Sequence, residues 1–387
     1  MLPRKADVII IGAGVIGASI AYHLTRENIQ AVVLDKEETA TGSSSACEGL
    51  LLLQSKKPGI HLDMALDSIR RFPALVQELD HPIEYENKGG LVVIETEEEL
   101  DAMQLFVEKQ KKHSVDVSLL STEQARQKEP ALSENIIGAT FSPLDSQVNP
   151  ILLTLGFLGA AQKAGAKVFA NTAVRAIELT AGRVTAVNTD RGKIETSVVI
   201  NAAGTFAPEI GALINLTIPI KPRRGQILVT EATAPVLKRC ILSAMYIAAK
   251  FNPQIAEAGG VGFAVEQTSN GNILIGSTRE FVGFDKHTTY EGIQNIASTI
   301  LRVIPGLENL HVIRAFAGLR PYTPDGLPIL GKVESIDGFI MAAGHEGDGI
   351  TLAPVTGAMI AKLVAAEEAP FPFNDFRLER FTGTETA

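Results

Sequence analysis

Six residues near the start of the chain, Gly12-Ala13-Gly14-Val15-Ile16-Gly17, have the spacing G-x-G-x-x-G. The first glycine permits a tight turn. The second lets a pyrophosphate approach the backbone, and the third lets a helix and a strand pack closely. The flanking residues give the motif its weight. Val8-Ile9-Ile10-Ile11 is an unbroken β-branched run, and Val15 to about Glu27 carries Ile16, Ile20 and Leu24 at a spacing of four. A second apolar run, Ala31-Val32-Val33-Leu34, ends in Asp35-Lys36. Such a strand–turn–helix–strand unit aims free N–H groups at phosphates and a carboxylate at a ribose diol. Asp35 also disfavours a 2′-phosphate, which speaks against NADP.

Two further features favour FAD over NAD. Gly42-Ser43-Ser44-Ser45-Ala46 follows the second strand within a few residues, and its small hydroxyls could close over a pyrophosphate. Near the other end, Gly344-His345-Glu346-Gly347-Asp348-Gly349 separates the strand Gly338–Ala343 from the helix Thr351–Ala365. The positive end of that helix could stand beside an isoalloxazine ring and stabilise the anion formed on reduction. The alternative is a plain helix start.

The elements that position these turns are distributed along the chain. Helices are predicted over about Asp63–Leu79, Glu97–His113 and Ile151–Lys163, the last with Gly165 after it. Lys167-Val168-Phe169 and Val198-Val199-Ile200-Asn201 read as further strands, the second ending in Ala202-Ala203-Gly204. Gln226–Thr230, Gly262–Gln267 and Ile273–Gly276 are short strand candidates divided by Asn/Gly turns, as in an antiparallel sheet.

The chain has 387 residues, enough for two domains. With 45% hydrophobic and 20% charged residues its composition is that of a globular protein. A net charge of −9 argues against a nucleic-acid or anionic-membrane surface. The only cysteines, Cys47 and Cys240, suggest neither a disulfide framework nor a metal or redox pair. The charged start runs straight into a glycine-broken strand. It reads neither as a signal peptide nor as a membrane span, and a cytoplasmic location is expected.

The N-terminal glycine motif with its acid and G-S-S loop resembles the D-amino-acid-oxidase-like flavoprotein family. So do Ile200-Asn201-Ala202-Ala203-Gly204, Gly318-Leu319-Arg320-Pro321, Pro324-Asp325-Gly326-Leu327-Pro328-Ile329-Leu330-Gly331 and Gly344-His345 through Gly349-Ile350. Members include glycine and sarcosine oxidases, D-amino-acid dehydrogenases and flavin subunits of heteromeric proline and sarcosine dehydrogenases. The resemblance implies an α/β fold: a discontinuous Rossmann-like FAD-binding domain (residues 1–83, 142–219 and 318–387) and an α+β substrate domain with a large mixed or antiparallel sheet (84–141 and 220–317). It implies that Val174 meets the adenine through its backbone. The motifs together place Lys36, Gly49, Leu50, Ala203, Gly204, Gly318, Glu346, Gly347, Asp348, Gly349, Ile350 and Thr351 among the cofactor-binding residues, beside the glycine turn, Asp35 and the Gly42–Ser45 loop.

The implied reaction is hydride transfer from the carbon beside nitrogen to flavin N5, so no metal or Ser/His/Asp set is needed. Arg320 matches the arginine that grips the substrate carboxylate, and a planar guanidinium suits that pairing. The alternative is a structural arginine on backbone carbonyls. Tyr246, placed in a strand, and Tyr322 are candidate carboxylate partners or core residues. His345 either bonds flavin or substrate or is structural.

Two departures from the family pattern stand out. The final turn carries Glu346 and Asp348 where an arginine is common in glycine-oxidase-like members, and these acids are expected to face solvent rather than a substrate ammonium. No cysteine follows Cys240, so tethering through a late cysteine is excluded and FAD is expected to be non-covalent. Cys47 is expected to be a small buried residue.

The segment Gln267 to Asp285 is most like dehydrogenases of proline and hydroxyproline. The expected substrate is therefore a small cyclic or N-substituted amino or imino acid such as D-hydroxyproline, proline or sarcosine, with an acceptor other than oxygen. The alternatives are an oxygen-using glycine or D-amino-acid oxidase, an electron-relaying flavin subunit with an electron-accepting partner, and an NAD-dependent dehydrogenase. A homo-oligomer is equally compatible.

Overall fold

The computed structural model describes residues 1–251 and 262–381. Val8–Ile11 is buried at every position and lies inside a six-stranded sheet. The strand order is Ile329–Lys332, Phe339–Ala343, Val199–Asn201, Val8–Ile11, Ala31–Leu34, Lys167–Phe169. All neighbours are parallel except the Ile329–Lys332 edge. A parallel strand covered on both faces needs apolar side chains throughout, which is why these segments read as continuous runs rather than alternations. Val8 and Ile10 pack into a core with the helices Val15–Arg26, Ile60–Glu78, Pro150–Lys163 and Gly349–Val364. Ile9 and Ile11 point the other way, towards Ile177, Val184, Val187 and Ile194 of a three-stranded antiparallel sheet.

The second large sheet has eight strands. Its order is Val312–Tyr322, Lys221–Ala232, Asn272–Gly276, Ala264–Gln267, Cys240–Ser243, Gly90–Ile94, Gly138–Ser142, Ser118–Ser121. It is antiparallel except where Cys240–Ser243 runs parallel to Gly90–Ile94, so the sheet is mixed. The helix Tyr290–Val303 buries Ile296, Ile300 and Val303 against Leu228, Ile273 and Ile275 of its strands. The α/β class and both sheets agree with the sequence reading. The predicted helices are present within a few residues, with Pro150 rather than Ile151 opening the helix Pro150–Lys163 behind an Asn149 side-chain cap.

Tyr246 departs from its expected place. It lies in the helix Ala244–Phe251, where its amide donates to Ser243 Oγ at 3.1 Å. The strand ends at Ser243, whose hydroxyl takes the amides of Tyr246 and Phe263 and so turns the chain out of the sheet. Among the described residues no helix is long and apolar enough to cross a membrane.

Candidate active site

Gly12 has φ +112°, and a Cβ there would lie 2.4 Å from the Ala202 carbonyl oxygen. Only glycine can make this turn while the neighbouring strand passes so close. Gly17 has no room either: a Cβ would come within 1.9 Å of the Gly12 carbonyl oxygen. The first helix therefore starts hard against the sheet. Its N-cap, Gly14, has no side chain to offer, and the Val15 amide donates to Ser44 Oγ at 3.0 Å. Ser43 Oγ donates to the Leu319 carbonyl at 2.5 Å, which ties the serine loop to the strand that carries Arg320. Asp35, just past the second strand, accepts the Ala13 amide at 2.7 Å and the Glu37 amide at 2.9 Å. Burial raises its pKa against these two donors. Lys36 Nζ stands 3.2 Å from the centre of the Phe206 ring.

A cavity of about 550 Å³ joins these parts. At one end it is lined by Asp35, Lys36, Val174 and Phe206, and along its length by Gly12, Gly14, Val15, Ile16, Gly42, Ser43 and Ser44. Ala203, Gly204 and Gly318 follow, and the far end is lined by Leu50, Tyr246, Arg320 and His345 through Ile350. A carboxylate at one end, a glycine turn at a helix N-terminus between, and a second helix N-terminus at Gly349 suit a flavin dinucleotide. The residues present fit FAD: Asp35 would meet the ribose, the Gly12–Ile16 turn the pyrophosphate, and the Gly344–Ile350 turn the ring. Bound there, FAD supplies the hydride acceptor.

At the far end Arg320 projects from Val312–Tyr322 over Gly225, whose missing Cβ makes the room: one placed there would lie 2.2 Å from Nη1. Nη1 donates to the Thr278 carbonyl at 3.0 Å and Nη2 to Ser277 Oγ. Burial alone would lower its pKa, but Tyr246, Glu346 and Glu48 more than offset it and leave it raised. Arg320 is thus held by a backbone carbonyl and a hydroxyl while it also lines the cavity.

Glu346 and Asp348 do not face solvent, contrary to expectation. Both are buried. Glu346 pairs with Arg223, and with Arg279 at 3.0 Å. Its φ of +50° is uncommon for a residue with a side chain. The two ion pairs and a hydrogen bond from its backbone N–H to the Pro321 carbonyl at 3.1 Å hold it there. Asp348 pairs with Lys56 at 2.8 Å, with His61 Nε2 at 3.3 Å from its other oxygen. Buried charges persist only when paired, and both acids meet that condition.

His345 lies at the cavity wall with Nε2 3.1 Å from Thr356 Oγ1. Burial pushes its pKa down to about 3, so it is neutral near pH 7. Tyr246 lines the cavity with the Arg279 guanidinium 4.4 Å from its ring centre. Tyr322 is not at the cavity: it lies under Arg223, 4.6 Å from ring centre to guanidinium, and edge-on to Phe281. Gly17, Ser45, Gly49 and Thr351 are also absent from the lining. Gly17 packs the helix, Ser45 Oγ bonds the Gly42 carbonyl, Gly49 donates its amide to Glu266, and Thr351 is buried in the helix. Cys47 is half-buried at the cavity rather than fully enclosed, and burial pushes its thiol pKa up.

Glu48, Lys56, Arg223 and Arg279 carry no signal in the sequence. A lysine in Gln54-Ser55-Lys56-Lys57 reads as solvated, and only the distant Asp348 explains its burial.

The FAD dependent oxidoreductase family named DAO matches residues 7–363. Hydrogen cyanide synthase subunit HcnC of Pseudomonas protegens is 32% identical over 98% of this chain and 97% of its own. Among solved structures, L-proline dehydrogenase from P. horikoshii superposes with a TM-score of 0.90 at 26% identity, covering 98% of both chains. Glycine oxidase from Geobacillus kaustophilus gives 0.89 at 29%, covering 98% of this chain and 100% of the other. The match spans the glycine turns at both ends of the chain and the sheet between them, and this chain belongs to the DAO family of FAD-dependent oxidoreductases.

Proposed function

We propose that this chain oxidises the C–N bond of a small amino or imino acid, with FAD held non-covalently. One observation carries the reading: Arg320 is fixed at the wall of the cavity, beside Tyr246 and the turn expected to face the flavin ring. In this reading the guanidinium and the Tyr246 hydroxyl receive the substrate carboxylate, and Leu50 and the other apolar walls exclude water. The substrate amine must be neutral before its carbon gives up a hydride, and a dry pocket favours that form. His345 is assigned a structural role, holding the turn through Thr356. The stretches 1–83, 142–219 and 318–387 would hold the cofactor, and 84–141 with 220–317 the substrate.

The proposed substrate is cyclic or N-substituted, such as D-hydroxyproline, proline or sarcosine, with an acceptor other than oxygen. The likeness to L-proline dehydrogenase supports this. The similarity to glycine oxidase supports an oxygen-using alternative. The relative from P. protegens is called a subunit, which supports a second reading in which this chain passes electrons to a partner.

Anaerobic mixing of the yellow protein with glycine, sarcosine, both prolines, hydroxyprolines and D-amino acids tests the proposal. Bleaching by at least one is expected, and admitting oxygen then separates oxidase from dehydrogenase. If none bleaches the isolated protein, the catalytic reading fails and electron relay takes its place.

A further inference from the structure

Two carboxyl groups flank Gly49 behind the serine loop, and neither belongs to the carboxylate clamp. Glu48 lines the cofactor cavity, and its Oε1 is buried without a hydrogen-bond partner among the described residues. It presses on Gly276, where a Cβ would come within 1.8 Å of that oxygen. The next residue, Ser277, is the one that receives Arg320 Nη2, so Glu48 stands on the substrate side. Glu266 is 4% exposed, and its Oε1 accepts the Gly49 amide at 2.7 Å. Its Oε2 is likewise buried without a partner among the described residues. Glu266 lines a second cavity of about 170 Å³ whose rim reaches the exposed Ile151 and Ser269. Ser44 and Cys47 line both cavities and form the wall between them.

An unpartnered buried carboxylate oxygen is costly, and at Glu266, enclosed by the fold, burial favours the protonated form. Burial pushes Glu266 up to about 8, with Glu48 and Glu86 adding to the rise and the Gly49 amide and Lys88 opposing it. The thiols of Cys47 and Cys240 also interact with it, both raised by burial and therefore uncharged, and Glu84 lines the second cavity beside it. A carboxyl that exchanges its proton close to neutral pH, set between a reaction cavity and a second opening, has the placement of a relay.

We propose that Glu48 and Glu266 form a proton exit from the substrate pocket to the second cavity; the proposal rests on the reading of this chain as an amino-acid oxidoreductase. The substrate arrives as an ammonium, and one N–H bond breaks as an O–H bond forms on Glu48. Glu266 gives its Oε2 proton to solvent at the second cavity and takes the Glu48 proton in its place. Both carboxyls return to their starting state, one proton has crossed, and the nitrogen lone pair is free. Glu48 meets the substrate in this scheme, while Glu266 acts through it.

Glu266→Gln tests the relay, because the amide oxygen can still accept from Gly49. Flavin reduction by glycine and by L-proline under anaerobic conditions is expected to slow on the order of 10²-fold near neutral pH. The deficit should shrink as pH rises and the substrate loses its proton in solution, and imidazole should restore part of the rate. FAD content should not change, and the thermal midpoint near neutral pH should not fall, because the variant no longer has a buried carboxyl to ionise. Without any substrate, infrared spectra of the wild type should show a neutral carboxyl band that disappears as pH rises through about 8 and that the variant lacks. If Glu266→Gln does not fold, Glu48→Gln is expected to give the same rate deficit. Wild-type rates at every pH in the folded variant, or no such band in the wild type, would overturn the relay. If no amino acid reduces even the wild type, the functional reading fails instead, and the infrared titration still reports on Glu266.

Discussion

Lys56 Nζ lies 2.8 Å from Asp348 Oδ1, with the two side chains only 2% and 4% exposed. Lys56 belongs to the loop that follows the serine cluster, and Asp348 is the N-cap of the helix Gly349–Val364. The pair joins segments almost three hundred residues apart at the cavity wall. Lys56→Met leaves Asp348 buried without this cation, which costs about 3–5 kcal/mol for a buried pair. Adding Asp348→Asn should recover more than half of that loss. Denaturant unfolding of the two singles and the double variant measures it. A double variant no more stable than Lys56→Met would show that the pair is not coupled.

The glycines of the cofactor loops should respond unequally. Gly12→Ala forces a Cβ to within 2.4 Å of a backbone oxygen at φ +112°, whereas a Cβ on Gly42 meets nothing within 4 Å among the described residues. Gly12→Ala is expected to purify with little FAD and a lowered melting temperature. Gly42→Ala should retain both within error. Flavin absorbance per protein and a thermal melt decide between these outcomes.

Arg320→Ala should weaken substrate capture by about 10- to 100-fold, the worth of one or two charge-assisted hydrogen bonds. FAD should remain bound. Saturation of the anaerobic reduction rate gives the apparent affinity. Unchanged saturation would remove Arg320 from the carboxylate clamp and leave it as a support for Thr278 and Ser277.

Acid should destabilise the fold through two neutral histidines. Burial lowers His345 from 6.5 to about 3 and His23 from 6.5 to about 4. Each binds a proton more readily unfolded than folded, so the stability linked to it is whole above about pH 6.5. It is lost as pH falls through the window down to about 3–4, at about 1.4 kcal/mol for each tenfold difference in proton affinity between the folded and unfolded chain. His345→Asn should flatten the decline of the melting temperature between pH 7 and 5. An identical decline in the variant would place the acid sensitivity elsewhere.

The parts legible in sequence are those whose cause is local. Strand, glycine turn, helix and acid follow one another within about thirty residues, and each residue type announces its backbone role. The Tyr246 segment misleads because Cys240 to Ala248 is apolar at almost every position, and such a run suits a strand or a helix equally. The hydroxyl of Ser243 decides the matter. Glu346 misleads for a different reason: its counter-charges, Arg223 and Arg279, are 123 and 67 residues away. A carboxylate between glycines looks solvated until those partners are in view. Glu48 and Glu266 are equally invisible in sequence, because their importance lies in which cavity each one lines.

The cofactor sheet draws strands from residues 8–11, 31–34, 167–169, 199–201, 329–332 and 339–343. The strand Phe339–Ala343 pairs directly with Val199–Asn201, and the turn after it lines the cavity. A ribosome must therefore have emitted the chain beyond Ala343 before the dinucleotide cleft exists. The Gly12–Gly17 turn, made well before its partner strand, waits with a raw parallel edge, and long-range pairing of this kind is slow and prone to self-association. Flavin supply during synthesis should thus govern the yield of soluble protein, with riboflavin-starved cells accumulating aggregates rather than soluble apoprotein.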